Sequence, residues 1–194
     1  MKHFLNSNSI EKDYPLGYQK VLFGAGCFWG VERKFWGLDG VWVTSVGYAG
    51  GDTINPTYED VCYKNTNHAE VVEVIYNSEE ISFKELLKVF WECHDPTQGM
   101  RQGNDRGTQY RSVIYCSSQD DLLQSNKSKE IYEEILKKEN YDPITTEIAL
   151  RPDYYLAEEY HQQYLAKNPN GYCGIGGTGS VSYTHLTLPT ICSV

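Results

Sequence analysis

The order of elements along this 194-residue chain, β-α-β-β-α-β followed by α-β-α, predicts an α+β domain. In finer terms it predicts a ferredoxin-like split βαβ sandwich with additional helices and a long glycine-rich C-terminal segment. Two further observations point to this class. Hydrophobic residues make up 40% and charged residues 22%, a globular composition. The length suits one domain with a sizeable core, and there is no internal repeat or low-complexity segment.

The elements follow from local pattern. Gln19–Ala25 (QKVLFGA) reads as a buried strand that breaks at Gly24 and Gly26. Cys27–Trp36 carries Phe28, Val31 and Phe35 at helical spacing, with Gly37 placed to end the helix. Val41–Tyr48 is β-branched and strand-like, and Asp52–Asn67 reads as a polar loop. Ala69–Tyr76 (AEVVEVIY) is the clearest strand. Ser82 followed by Glu85 is a capping-box signature for a helix running to about Cys93. Asp95–Thr108, with Pro96 and three glycines, reads as a loop. Beyond it come a strand over Gln109–Cys116, a charged helix over Asp120–Glu139 and a strand over Ile144–Leu150. A last helix is expected over Tyr154–Lys167, and Asn168–Gly179, with five glycines, should be extended and mobile.

Charge and cysteine usage exclude several classes. Lys+Arg is 17 against Asp+Glu 26, a net charge of −9, which disfavours nucleic-acid or anionic-membrane binding. No apolar run approaches the ~18–20 residues that span a bilayer. Met1–Asp13 is polar and lacks the apolar core of a signal peptide. Six cysteines without an export signal suggest free thiols in the cytoplasm, on a chain expected to be a monomer. No pair has C-x-x-C spacing, so neither a metal site nor a thioredoxin-type dithiol is expected.

Val181–Val194 (VSYTHLTLPTICSV) has no Asp, Glu, Lys or Arg and resembles one reading frame of a transposase-type sequencing adapter. We read 1–180 as a single domain and 181–194 as a non-native tail. His185 and Cys192 therefore carry no functional weight. Codons that differ from the adapter would sink this reading.

The chemistry concentrates elsewhere. Cys27 lies where a strand turns into a helix. There the positive end of the macrodipole and unpaired N–H groups favour thiolate, although a buried structural cysteine fits the same position. Phe28 shares helical spacing with Val31 and fits the core, whereas Trp29 points elsewhere and could wall the thiol. Strand alternation puts Glu70, Val72 and Val74 on one face and Val71, Glu73 and Ile75 on the other. A carboxyl on an apolar face has its pKa raised and can donate a proton, whereas one at a strand end is otherwise simply solvated. His68 reads as structural, Asp105 as a turn residue, and Cys173 sits in a glycine setting with the reach to meet a distant thiol.

GCFWG (Gly26–Gly30), PTYEDV (Pro56–Val61), HAEVVEV (His68–Val74), DRGTQYRS (Asp105–Ser112) and GYCGIGG (Gly171–Gly177) together resemble the peptide methionine sulfoxide reductase A family over about residues 18–180. The resemblance implies that Cys27 attacks the sulfoxide sulfur while Phe28 and Trp29 hold the S-methyl group. Glu70 protonates the departing oxygen, Tyr58 and Tyr110 hydrogen-bond it, and Asp105 supports the site. The substrate is methionine-S-sulfoxide, free or in peptides and proteins. The sulfenic acid left on Cys27 condenses with the resolving thiol Cys173, and thioredoxin reduces the disulfide; no bound cofactor or metal is implied. Many bacterial members carry a second recycling cysteine about where Val181 begins the tail. Cys62, Cys93 and Cys116 match no family motif: Cys93 and Cys116 read as core thiols and Cys62 as a loop thiol.

Two other classes fit parts of the pattern. An acyl-transfer cysteine hydrolase would need His68, His94 or His161 beside Cys27. A binding module could hold a methylated ligand in an aromatic cage.

Overall fold

The computed structural model describes residues 1–11 and 14–182. Apart from Val181 and Ser182, the expected non-native tail lies outside the described residues, as do His185 and Cys192. The elements are β1 (Gln19–Ala25), α1 (Phe28–Phe35), β2 (Val41–Ala49), α2 (Tyr58–Tyr63), β3 (Ala69–Tyr76) and α3 (Phe83–Cys93). A small hairpin, β4 (Arg101–Gln102) and β5 (Asp105–Arg106), leads to a 3-10 turn over Thr108–Tyr110. There follow β6 (Ser112–Cys116), α4 (Gln119–Lys138), β7 (Glu147–Leu150), β8 (Tyr154–Leu156) and α5 (Tyr164–Lys167).

The fold is mixed α/β around a six-stranded sheet ordered β7-β6-β1-β3-β2-β8. Every neighbouring pair is antiparallel except β6 with β7. The main core lies between one face of this sheet and helices α1, α3 and α4. It holds Phe23, Val46, Val72, Val74 and Ile114 from the strands and Phe35, Phe90 and Tyr132 from the helices. Phe23 stacks between Phe35 at 5.0 Å and Phe90 at 5.1 Å, so its truncation to alanine should cost about 3–5 kcal/mol. Alternation along β3 is as expected: Val72 and Val74 enter this core, while Glu73 on the opposite face pairs with Arg151 at 2.5 Å. The capping box forms too, with Ser82 N–H donating to Glu85 at 2.8 Å and Glu85 N–H to the Ser82 hydroxyl at 3.3 Å.

Four expectations need correction. The stretch 52–67 is not all loop: Thr57 and Asp60 form a second capping box that starts α2. The strand expected from Gln109 begins only at Ser112, because Thr108–Tyr110 winds into the 3-10 turn. The helix expected over Tyr154–Lys167 is largely wrong. Tyr154–Leu156 instead pairs with the end of β2, and only Tyr164–Lys167 is helical. Three adjacent aromatic and apolar residues favour a sheet edge over a helix start there. Finally, the stretch 95–108 is not all loop, since Arg101–Gln102 pairs with Asp105–Arg106 as a hairpin. The described glycine-rich segment after Lys167 has no regular secondary structure and lies against the body. Thr178 bonds the phenols of Tyr132 and Tyr141, at 3.0 and 3.2 Å.

Candidate active site

Antiparallel pairing assembles the site. β1 runs antiparallel to both β3 and β6, so the end of β1 meets the starts of those two strands. Cys27 follows the end of β1, Glu70 stands at the start of β3, and Tyr110 precedes β6. Gly26 makes the turn between β1 and α1 at φ +97, and a Cβ there would sit 2.8 Å from Gln102; both facts require glycine.

Cys27 is the N-cap of α1, partly exposed, with no side-chain cap bond. The expected bias toward thiolate is not what this setting gives. Burial pushes the Cys27 thiol well above its usual range, and the nearby carboxylates of Glu70 and Asp105 push the same way. The N–H groups of Trp29 and Gly30 act in the opposite sense but do not prevail. Glu70 itself is buried on the core side of β3, and its Oε2 accepts the Phe28 N–H at 3.0 Å. Burial raises its pKa to about 8, against the lowering effect of the Phe28 bond, so the carboxyl is protonated at neutral pH. A neutral Glu70 no longer opposes ionisation of Cys27, so acid and nucleophile are compatible in one site.

Tyr58, Tyr110 and Asp105 gather around this pair. Burial raises the Tyr110 phenol, and so do the charges of Glu70, Cys62, Asp105 and Cys27, in that order. Tyr58 is raised by burial first, then by Cys62 and Glu70. Both phenols therefore stay protonated and can donate. Asp105 accepts the Tyr172 hydroxyl at 3.3 Å. Cys173 lies over α1, where a Cβ on Gly30 would come 3.2 Å from its Sγ, and it takes a 3.0 Å bond from Arg33.

The two aromatic residues after the thiol separate. Phe28 is buried in the core against Tyr48 and His161, at ring distances of 5.9 and 5.1 Å. Trp29 is half-buried, stacks on Tyr164 at 4.0 Å and donates its indole N–H to His161 Nδ1 at 3.0 Å. Burial lowers the His161 pKa to about 4, which keeps the ring neutral.

None of the three histidines offered to a hydrolase serves Cys27. His68 is held by Gly51 N–H and Thr53 O, His94 by Phe90 O and Ser112, and His161 by Trp29. His68 is structural, as expected. Cys93 and Cys116 are buried thiols, also as expected, but Cys62 is not on a loop. It lies on α2 one turn beyond Tyr58, near enough to help raise that phenol's pKa. Sequence reasoning missed this neighbour, together with Glu158, which accepts Tyr58 N–H at 2.8 Å and the Tyr48 hydroxyl at 3.0 Å. The Tyr58–Cys62 spacing of i,i+4 was the available signal. Among the described residues no group of three or more His, Cys, Asp or Glu could hold a metal ion, and no helix is long and apolar enough to cross a membrane.

A partly exposed thiol at a helix start, beside a protonated carboxyl and two phenols on an α/β scaffold, defines a thiol enzyme with its own proton donor. The comparisons make the assignment specific. Residues 19–184 match the family described as peptide methionine sulfoxide reductase. Peptide methionine sulfoxide reductase MsrA of Pseudomonas aeruginosa is 62% identical over 177 residues, covering 91% of this chain and 82% of that protein. The structure of methionine sulfoxide reductase A of Corynebacterium diphtheriae superposes with a TM-score of 0.83 at 44% identity, covering 88% of this chain and 83% of that one. Mxr1 from Saccharomyces cerevisiae in complex with Trx2 matches at 28% identity and a TM-score of 0.54, over 80% of this chain and 91% of that one. The chain belongs to the peptide methionine sulfoxide reductase family. It is an oxidoreductase that acts on methionine sulfoxide through thiol chemistry.

Proposed function

We propose that Cys27 reduces methionine-S-sulfoxide, free or in polypeptides, with Glu70 as the acid. The Cys27 sulfur bonds the sulfoxide sulfur while Glu70 places a proton on the sulfoxide oxygen, which Tyr58 and Tyr110 hold by hydrogen bonds. That oxygen passes to the Cys27 sulfur as hydroxyl, methionine departs, and the thiol's own proton restores Glu70. The sum is thiol plus sulfoxide giving sulfenic acid plus thioether. Cys173 then attacks the sulfenic sulfur, a disulfide forms and water leaves. A thioredoxin-type dithiol returns both cysteines to thiols, a reading supported by the partner in the Mxr1 complex. Asp105 supports the site through Tyr172. Trp29, with Phe28 behind it, walls the S-methyl group.

The observation that carries this reading is the buried carboxyl of Glu70 bonded to the residue next to Cys27. A soft sulfur centre calls for a thiol and its departing oxygen for an acid, and both stand at one end of the sheet. The strand order β6-β1-β3-β2 under α1 and α3 supports the finer description as a ferredoxin-like split βαβ sandwich with additions. We further read residues 1–180 as the reductase domain of a cytoplasmic monomer. Its free thiols support that placement, and fractionation and sedimentation test it.

Single-turnover reduction of a methionine-S-sulfoxide peptide by the pre-reduced protein tests the function. Wild type should release methionine and lose two thiols, and Cys27→Ser should do neither. Cys173→Ser should release methionine and leave a sulfenic acid that a dione reagent labels on Cys27. A wild-type protein inert toward the S-sulfoxide but active on the R-sulfoxide would overturn the substrate assignment.

A further inference from the structure

The segment that holds Trp29 is itself held by a buried carboxylate the mechanism does not use. His161 accepts the Trp29 indole N–H and Tyr164 stacks on its ring. Between them Gln162 is tied to β2, accepting from Val46 N–H at 2.8 Å and donating to Val46 O at 2.8 Å. Gln163 takes a left-handed conformation at φ 47, ψ 41, rare for a residue with a Cβ. Its backbone N–H donates to Glu32 Oε2 at 2.9 Å and its side-chain amide to Glu32 Oε1 at 2.7 Å. Glu32 is fully buried on α1, one turn beyond Trp29, and also accepts the Thr44 hydroxyl at 2.9 Å. One helix thus carries the nucleophile, the apolar wall and the carboxylate that fixes the wall's support.

We propose that Glu32 and Gln163 are positioning residues for substrate binding: the Glu32 carboxylate fixes the left-handed turn at Gln163, which sets His161 and Tyr164 against Trp29. This rests on Trp29 acting as the wall for the S-methyl group.

The hydrogen-bond inventory makes a sharp test available. Glu32→Gln brings an amide N–H against either the Gln163 N–H or its side-chain amide. Flipping the Gln163 amide only moves the conflict to Phe4, whose N–H bonds Gln163 Oε1 at 3.0 Å. The exchange Glu32→Gln with Gln163→Glu removes the conflict between the two side chains and gives up only the long 3.4 Å bond from the Gln163 amide to Thr44 O. The new carboxylate accepts from Phe4 and from the new amide, and the amide oxygen accepts the backbone N–H of residue 163. The Thr44 hydroxyl oxygen, which accepts the His3 Nε2–H at 3.2 Å, can also accept the second N–H of the new amide.

We expect Glu32→Gln to raise KM for the sulfoxide about tenfold, with kcat within about twofold, the effect of one frustrated buried hydrogen bond. The Trp29 indole N–H resonance, assigned by its loss in Trp29→Phe, should shift in the same variant. The exchanged pair should restore both. A wild-type KM and an unshifted indole signal in Glu32→Gln would overturn the proposal, as would a folded exchanged pair no better than the single variant. If Glu32→Gln is too unstable to assay, the exchanged pair decides alone, a near-wild-type KM supporting the pairing and a raised KM overturning it. Trp29→Ala separates the two layers. An unchanged KM there removes the wall reading and the proposal with it, whereas a raised KM beside a wild-type Glu32→Gln removes the proposal only.

Discussion

The backbone N–H of Phe28 donates to Glu70 Oε2 at 3.0 Å, so the first residue of α1 is bonded to the acid that opens β3. One contact sets the distance between nucleophile and proton donor. It joins two elements 42 residues apart in sequence. The bond needs only an acceptor oxygen, whereas the reaction needs a proton, and substitutions can separate these roles.

Glu70→Gln keeps an oxygen for Phe28 and removes the transferable proton. Single-turnover methionine release should fall by about 10²–10⁴-fold, the usual worth of general acid catalysis. In wild type the same rate should decline as pH rises past about 8, where Glu70 ionises. A variant within threefold of wild type at pH 7 would remove Glu70 from the mechanism.

The same carboxyl makes a stability prediction with a definite sign. Glu70 titrates near 4.5 when unfolded and at about 8 when folded, so the folded chain binds its proton more tightly. Its contribution is fully present below pH 4.5 and is lost as pH rises through about 8. Urea midpoints at pH 5 and pH 9 should therefore fall further for wild type than for Glu70→Gln. Equal declines would mean that Glu70 does not carry a raised pKa.

Thr57→Ala tests whether α2 positions Tyr58. Thr57 Oγ1 accepts Asp60 N–H at 3.2 Å and the Thr57 N–H donates to Asp60 Oδ2 at 3.0 Å, a cap worth about 1 kcal/mol. Because α2 has only six residues, the loss should displace Tyr58 and Cys62 more than it lowers global stability. We expect kcat/KM to drop severalfold, and to drop much less in a Tyr58→Phe background. Additive losses in that double-mutant cycle would sever the cap from the phenol.

What could be read from residues, and what could not, divides by range. The strand β3, the alternation of its two faces and the capping box of α3 are set by period-2 spacing and by contacts three residues apart, so they were legible. Which face of β3 is covered, and with it the burial of Glu70, depends on helices packed from elsewhere. The edge strand β8 was not, because Tyr154–Leu156 becomes a strand only by pairing with β2 some hundred residues earlier. The Cys27 thiol was misjudged for a related reason. Its helix position is local, but the burial and the Glu70 and Asp105 charges that outweigh it come from elsewhere in the fold. His161 and Gln163 were missed because they act on Trp29 and Glu32 across 132 and 131 residues.

Gly30→Ala probes the approach of the two redox cysteines without touching either. Inside a helix, alanine is favoured over glycine by about 1 kcal/mol, so α1 should not be weakened. The added Cβ would, however, lie 3.0 Å from the Ile175 side chain and 3.2 Å from Cys173 Sγ. One of the two must give way. The chain around Cys173 has no regular secondary structure and is fixed by few bonds, among them Tyr172 to Asp105 at 3.3 Å. It should therefore yield before the packed helix does. The first step, in which Cys27 reduces the sulfoxide, should run at the wild-type rate, because the added methyl meets Ile175 and Cys173 and not the Phe28–Glu70 contact. Disulfide formation should slow, since Cys173 starts further from α1. Quench-flow with separate readouts of methionine release and thiol loss resolves the two steps. Equal slowing of both would show that the methyl group disturbs α1 itself, and wild-type disulfide formation would show that Cys173 does not reach Cys27 from its place over Gly30.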